Sequence, residues 1–173
     1  MIVLGIDPGY RNLGLAILRV TDYSAEVVWS STMSVGSATR GMDFAKILWP
    51  HLDNLDTTYG IEGIASETAP FIQRQIKTTA LLWAVTAIIS AWAVHKGIPF
   101  KHASPMTLKR ATCRALKIPW SRKFIPKKKD IKLVVKQYCD TSGRTNHEDD
   151  AALSAILLYT KLIPQDGAVP ERH

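Results

Sequence analysis

Cysteine is nearly missing from this sequence: Cys113 and Cys139 are the only two among 173 residues. They form no Cys-x-x-Cys pair, and no second pair completes a zinc site, which excludes a disulfide framework and a thiolate zinc centre. Isolated thiols of this kind read as reduced, as expected of a cytoplasmic protein. Acids are the scarcer charge. The 15 Asp and Glu stand against 22 Lys and Arg, a formal net charge of +7 with a pI near 9.5. That balance suits a polyanionic partner. Low-complexity stretches are absent, and with them the composition of a disordered chain. Long hydrophobic runs are absent save one, Thr78 to Val94, which holds Trp83, Ser90 and Trp92 and runs into His95 and Lys96. It reaches only the lower length limit for crossing a bilayer, so a buried core helix and no membrane partner are expected. The opening MIVLGIDPG has no basic lead and is broken by Asp7 and Pro8, so it reads as a strand rather than a secretory signal.

What is present fits one domain. Apolar residues make up 46% of the chain, enough for a sizeable core at this length. A single domain over residues 1–163 is expected, with a loose tail over 164–173. Ile2 to Ile6 reads as a buried strand ending in Asp-Pro-Gly, followed by strands over Gly14 to Val20 and Glu26 to Val35. Gly41 to Leu55 has helical spacing, and Gly60 to Glu67 reads as a fourth strand ending in an acid. A long apolar helix is expected over Ile76 to Val94 and a fifth strand over Ile98 to His102. Ser104-Pro105 has the pattern of a helix start, introducing a basic helix over Met106 to Leu116. Ile118 to Lys129 reads as a loop with two prolines and five cations. Helices over Asp130 to Tyr138 and His147 to Leu162 follow. Three strands and then two strand–helix–strand crossovers predict an α/β fold, a central five-stranded mixed sheet flanked by helices.

Four residues far apart in sequence could meet on that sheet: Asp7, Glu67, His147 and Asp150. Asp7 and Glu67 each end a strand. If those strands are parallel neighbours, both acids emerge at one edge of the sheet. His147 and Asp150, three residues apart on the first turn of the last helix, share a face. Three carboxylates and an imidazole are ligands for Mg²⁺ or Mn²⁺, and such acids repel one another unless a cation joins them. Two ions about 4 Å apart would activate water and stabilise the leaving oxygen of a phosphodiester. Each residue also has a plainer role. Asp7 before Pro-Gly suits a turn, Glu67 a solvated strand end, Asp149 and Asp150 a helix N-terminus, and His147 a structural contact.

The segments GIDPGYRNLGLAIL, GIASE and His147-Glu148-Asp149-Asp150-Ala151, in this order, resemble three motifs of the RuvC-type Holliday junction resolvases, within the ribonuclease H-like and retroviral-integrase superfamily. The resemblance covers residues 2 to about 160 and implies a ribonuclease H-like fold and a homodimer. It also implies paired Mg²⁺-dependent nicks in branched DNA, placed symmetrically across a four-way junction. It assigns Asp7, Glu67, His147 and Asp150 to two metal ions and puts Lys109 near the scissile phosphate as a further catalytic group. Lys128 matches a second such lysine, with a register uncertain by one residue within Lys127-Lys128-Lys129. A cellular, plasmid or phage source would fit equally.

Around these lie Arg110, Arg114, Trp120, Arg122 and Lys123, where cations interleaved with aromatics suit phosphate contact and base stacking. The aromatic that the family carries three residues after its second carboxylate is here Pro70, with Phe71 next, so Phe71 is a candidate DNA contact. The chain is long enough for only one of the two domains that the phosphate loop of the sugar-kinase superfamily requires. A ribonuclease H acting on RNA–DNA hybrids and a non-catalytic junction-binding module are the alternatives.

Overall fold

A computed structural model of the chain describes residues 1–9, 11–34, 41–68, 76–119, 125–140 and 142–163. Five strands form one sheet: β1 (Ile2–Asp7), β2 (Asn12–Val20), β3 (Ala25–Ser34), β4 (Gly63–Glu67) and β5 (Phe100–Ala103), in the order β3-β2-β1-β4-β5. The first three form an antiparallel meander, while β1–β4 and β4–β5 are parallel. The sheet is mixed, as the order of elements predicts. Val35 and the tail over 164–173 lie outside the described residues.

Among the described residues five helices surround it: α1 (Gly41–Tyr59), α2 (Ile76–Lys96), α3 (Pro105–Ala115), α4 (Lys128–Tyr138) and α5 (Asn146–Tyr159). α1 runs past the expected Leu55 and stops before Gly60, whose φ of 68° is the left-handed conformation that ends helices. α5 ends at Tyr159, short of the expected Leu162. α4 begins two residues early, so Lys128 and Lys129 lie in its first turn rather than in a loop. Ser104 caps α3 as expected, its hydroxyl accepting from Thr107 N at 3.1 Å.

Strand alternation divides the core in two. Leu4, Ile6, Leu13, Leu15, Ile17 and Ile64 pack on one face with Phe44, Leu48 and Leu52 of α1 and Val85, Ile89 and Trp92 of α2. Val3, Ala16, Leu18 and Ala65 pack on the other face with α5 and, beyond it, Val134 and Val135 of α4. Burial on both sides explains why β1 is an unbroken apolar run.

The expectation that α2 is buried all round is incorrect. Trp92 is fully buried and its indole N–H donates to Asp53 at 3.0 Å, but Trp83 is 47% exposed and Val94 82%. The sheet and α1 cover only one side of this helix, so its uniform hydrophobicity conceals an inner and an outer face.

α5 lies unusually close to the sheet. A Cβ on Gly5 would stand 2.1 Å from the Ala151 carbonyl oxygen, and one on Gly14 would stand 2.2 Å from that of His147. Only glycine tolerates the helix backbone at that distance. α5 contributes small residues of its own, Ala151, Ala152, Ser154 and Ala155, all fully buried. Gly5→Ala and Gly14→Ala are each expected to cost about 3 kcal/mol or more. Gly60→Ala, with open space around it and only backbone strain, should cost about 1 kcal/mol. Urea denaturation of the three variants checks the ranking, and equal costs would show that α5 can retreat freely.

Candidate active site

The parallel register pairs Ile6 with Ser66, so the next residues on each strand, Asp7 and Glu67, end β1 and β4 side by side. Strand alternation places both with Val3 and Ala65, on the face that α5 covers. The close seat of α5 then brings its first turn to them. His147 Nδ1 lies 2.6 Å from Asp7 Oδ2, and this hydrogen bond raises the imidazole pKa against the opposing effect of burial. One turn along, Asp150 meets the Lys128 ammonium from α4.

Glu67 sits between these pairs. Burial, reinforced by the neighbouring Asp7 charge, pushes its pKa up to about 7, with Lys128 and Lys109 pulling the other way. Two cavities meet here, and Glu67 and Lys128 line both. One is completed by Asp7, Pro8, Gly9, Thr68, Leu82 and His147. The other is bounded by Lys109, Lys127 and Asp150 on its polar side and by Leu108, Pro126 and Ile131 on its apolar side. They are two halves of one cleft.

The structure therefore brings Asp7, Glu67, His147, Asp150, Lys109, Lys127 and Lys128 together. It draws the acids and the histidine into two pairs rather than one knot. Among the described residues no group of three or more His, Cys, Asp or Glu side chains forms a ready-made metal cluster. The physical reason is repulsion, which the imidazole relieves at Asp7 and the ammonium at Asp150. The residues nonetheless fit a divalent cation. Asp150 Oδ1 is buried without a hydrogen-bond partner, and Glu67 is a buried acid whose ionised form needs a positive neighbour. Three carboxylates and one imidazole are hard donors of the kind Mg²⁺ and Mn²⁺ take.

The cations expected around the cleft separate. Lys109 and Lys127 line it with Lys128. Arg110 and Lys129 are exposed and Arg114 half-buried, and none of the three is part of the lining. Phe71, Trp120, Arg122 and Lys123 lie outside the described residues.

Two acids that the motif reading left aside have definite places. Asp149 turns away from the cleft to Arg144, whose Nε lies 3.3 Å from its Oδ1, both side chains being buried. Burial raises the Asp149 pKa, and Arg144 opposes this. The choice of Asp150 over Asp149 as the cleft acid is therefore the geometric one. Glu148 is 7% exposed and accepts hydrogen bonds from Ser30, Thr32 and Thr145. The run of three consecutive acids did not by itself show which partner each would find.

Residues 3–118 match the family model described as crossover junction endodeoxyribonuclease RuvC. The chain belongs to the RuvC family. The match spans Asp7, Glu67 and Lys109 and ends before α4 and α5, so Lys128, His147 and Asp150 rest on the motif resemblance and on the geometry. The chain is 26% identical over 136 residues to the RuvC of Pseudothermotoga lettingae, covering 79% of this chain and 78% of that protein. It is 25% identical over 111 residues to the RuvC of Chlorobaculum parvum, covering 64% and 59%. Thermus thermophilus RuvC, solved in complex with a Holliday junction substrate, superposes with a TM-score of 0.73 at 20% identity, over 90% of this chain and 91% of that one. The likeness is one of fold, the mixed sheet and flanking helices of the ribonuclease H-like resolvases.

The raised Glu67 pKa has a measurable consequence. Without divalent cations the folded chain keeps this proton up to about pH 7, whereas an unfolded glutamate loses it near 4.5. The folded state binds more protons across that window, so stability falls as pH rises through it. Thermal melts in chelator should show the decline, and Glu67→Gln should reduce it by about 1–3 kcal/mol over the window. An identical slope in wild type and variant would place Glu67 in a solvated, unperturbed setting.

Proposed function

We propose that this protein is a structure-selective endonuclease that resolves four-way (Holliday) and other branched DNA junctions by nicking two strands symmetrically. The observation that carries this reading is the in-register pair Asp7 and Glu67 facing the His147–Asp150 turn of α5 across one cleft, with Lys109, Lys127 and Lys128 on its walls. Acids concentrated where an anionic backbone must pass serve no purpose in a protein that only binds DNA. Membership in the RuvC family and the likeness to a junction-bound RuvC support the same substrate.

Asp7, Glu67, His147 and Asp150 would hold two Mg²⁺ ions, with Mn²⁺ able to substitute. Bound there, such ions supply an activated water and neutralise charge on the phosphodiester. Lys109 and Lys128 hold the scissile phosphate and stabilise the charge that develops on it. Lys129, Arg110 and Arg114 on the same two helices, and Lys127 at the N-cap of α4, extend the positive surface along the backbone.

Single-turnover cleavage of a synthetic four-way junction, an RNA–DNA hybrid and a linear duplex tests the proposal. Wild type should cut the junction in Mg²⁺ or Mn²⁺ and spare the duplex. Asp7→Asn, Glu67→Gln and Asp150→Asn should each slow cutting by about a hundredfold or more. Their junction affinity should be unimpaired, because loss of negative charge does not weaken attraction to phosphate. Lys128→Ala should slow cutting more than it weakens binding. Cleavage of the hybrid alone would redirect the assignment to ribonuclease H activity, and binding without cutting would make the protein a junction-binding module.

The working form is proposed to be a homodimer. A four-way junction has two-fold symmetry, and paired nicks need two sites related in the same way. The outer face of α2 offers Ala80, Trp83, Ala87 and Val94, all exposed and spaced three, four and seven residues apart along one side of the helix. Trp83→Glu should convert a dimer to a monomer in light scattering at micromolar concentration. A wild-type monomer both free and on junction DNA would contradict the arrangement.

A further inference from the structure

We infer that Glu148 is a positioning residue for the nuclease site, fixing the first turn of α5 through the edge strand β3. The inference rests on the reading of the cleft as a metal-dependent nuclease site and adds to it a control that no cleft residue exerts. Ser30 donates to Glu148 Oε2 at 2.7 Å, and Thr32 and Thr145 donate to Oε1 at 3.1 and 3.2 Å. The Thr32 and Thr145 hydroxyls also lie 2.6 Å apart, and with one proton each they make two of these three bonds at a time. Two of these donors belong to β3 and one to the residue that caps α5.

A helix start does not need this. The Thr145 hydroxyl already accepts from Glu148 N at 3.3 Å and caps the helix by itself. A carboxylate that is 7% exposed is costly to bury unless its oxygens are bonded, so its partners hold it in one place. That place is one residue from His147 and two from Asp150, in a single rigid turn. Glu148 and the cleft pair project from different sides of this turn, so a shift of one must move the other. The remaining constraints act from other directions. Gly14 sets the distance of His147 from the sheet, and Arg144 holds Asp149 on the far flank. Contact with β3 is what fixes the helix end along the sheet, across β1 and β2.

The test uses the full chain. Variants Glu148→Ala and Glu148→Gln, and the double variant Ser30→Ala/Thr32→Val, are compared with Leu52→Ala, which disturbs the opposite core layer. Mn²⁺ affinity of the protein alone is measured by calorimetry, His147 ring resonances by NMR in chelator, and junction cleavage in single turnover, all well below each melting temperature. Glu148→Ala should weaken Mn²⁺ binding and slow cleavage by about tenfold or more, the scale of lost second-layer support for metal ligands. It should also displace the His147 resonances. The double variant should show the same changes to a smaller degree, and Glu148→Gln, which can still accept from the hydroxyls, should recover most of both. Leu52→Ala should lower stability and change neither Mn²⁺ affinity nor the His147 signals. If Glu148→Ala and the double variant bind Mn²⁺ as wild type does, or leave the His147 resonances in place, or if Leu52→Ala reproduces their effects, the inference is wrong. A wild-type protein that cuts no junction would instead overturn the nuclease reading, and the NMR comparison would still decide whether Glu148 sets the position of His147.

Discussion

The structure depends on the close approach of one helix to one sheet. α5 can deliver His147 and Asp150 to two strand ends only because β1 and β2 present glycine where the helix backbone passes. A side chain on Gly5 or Gly14 would lift the helix, and the cleft would open before any residue lining it had changed. The core on that face follows the same constraint. Alanine and serine fill the inner side of α5, while α4 covers its outer side with Val134 and Val135. Precision in the site is thus a packing property, set by residues that never touch a substrate.

Electrostatics then decides how so many acids coexist. Each of the four residues from His147 to Asp150 has its own partner: Asp7, the β3 hydroxyls, Arg144 and Lys128. No two of these acids share a partner. Asp150 keeps one buried oxygen unmatched, and Glu67 holds its proton more tightly than a free acid does. Both features mark the cleft as a place where additional positive charge would be stabilising, which is uncommon on a protein already carrying +7.

Much of this was legible in the sequence because strand period and chain order determine where β1 and β4 end. Asp7 and Glu67 could be placed at strand ends from hydrophobic runs, and at one sheet edge if those strands were parallel neighbours, and His147 with Asp150 from helical spacing. Helical spacing puts Trp83 and Trp92 on opposite sides of α2, but which of them faces inward was not legible. Its outer residues are as apolar as its inner ones, and only the position of the sheet distinguishes Trp92 from Trp83. Asp149 and Glu148 were equally opaque, since Arg144 and the β3 hydroxyls become their neighbours only after folding. The two-residue early start of β2 and the extension of α1 to Tyr59 are errors of boundary, where flanking polar residues gave no pattern to read.

The residues of the proposed site are also distributed in time. Asp7 emerges early in synthesis, Glu67 some sixty residues later, and His147 and Asp150 only when α5 leaves the ribosome. Helix α5 packs between the sheet and α4, so the middle layer of that half of the molecule is the last to be made. Until it docks, β1 and β4 lack cover on one face and the carboxylates have no counterparts. The four residues of the proposed site therefore come together in one step, with the completed core.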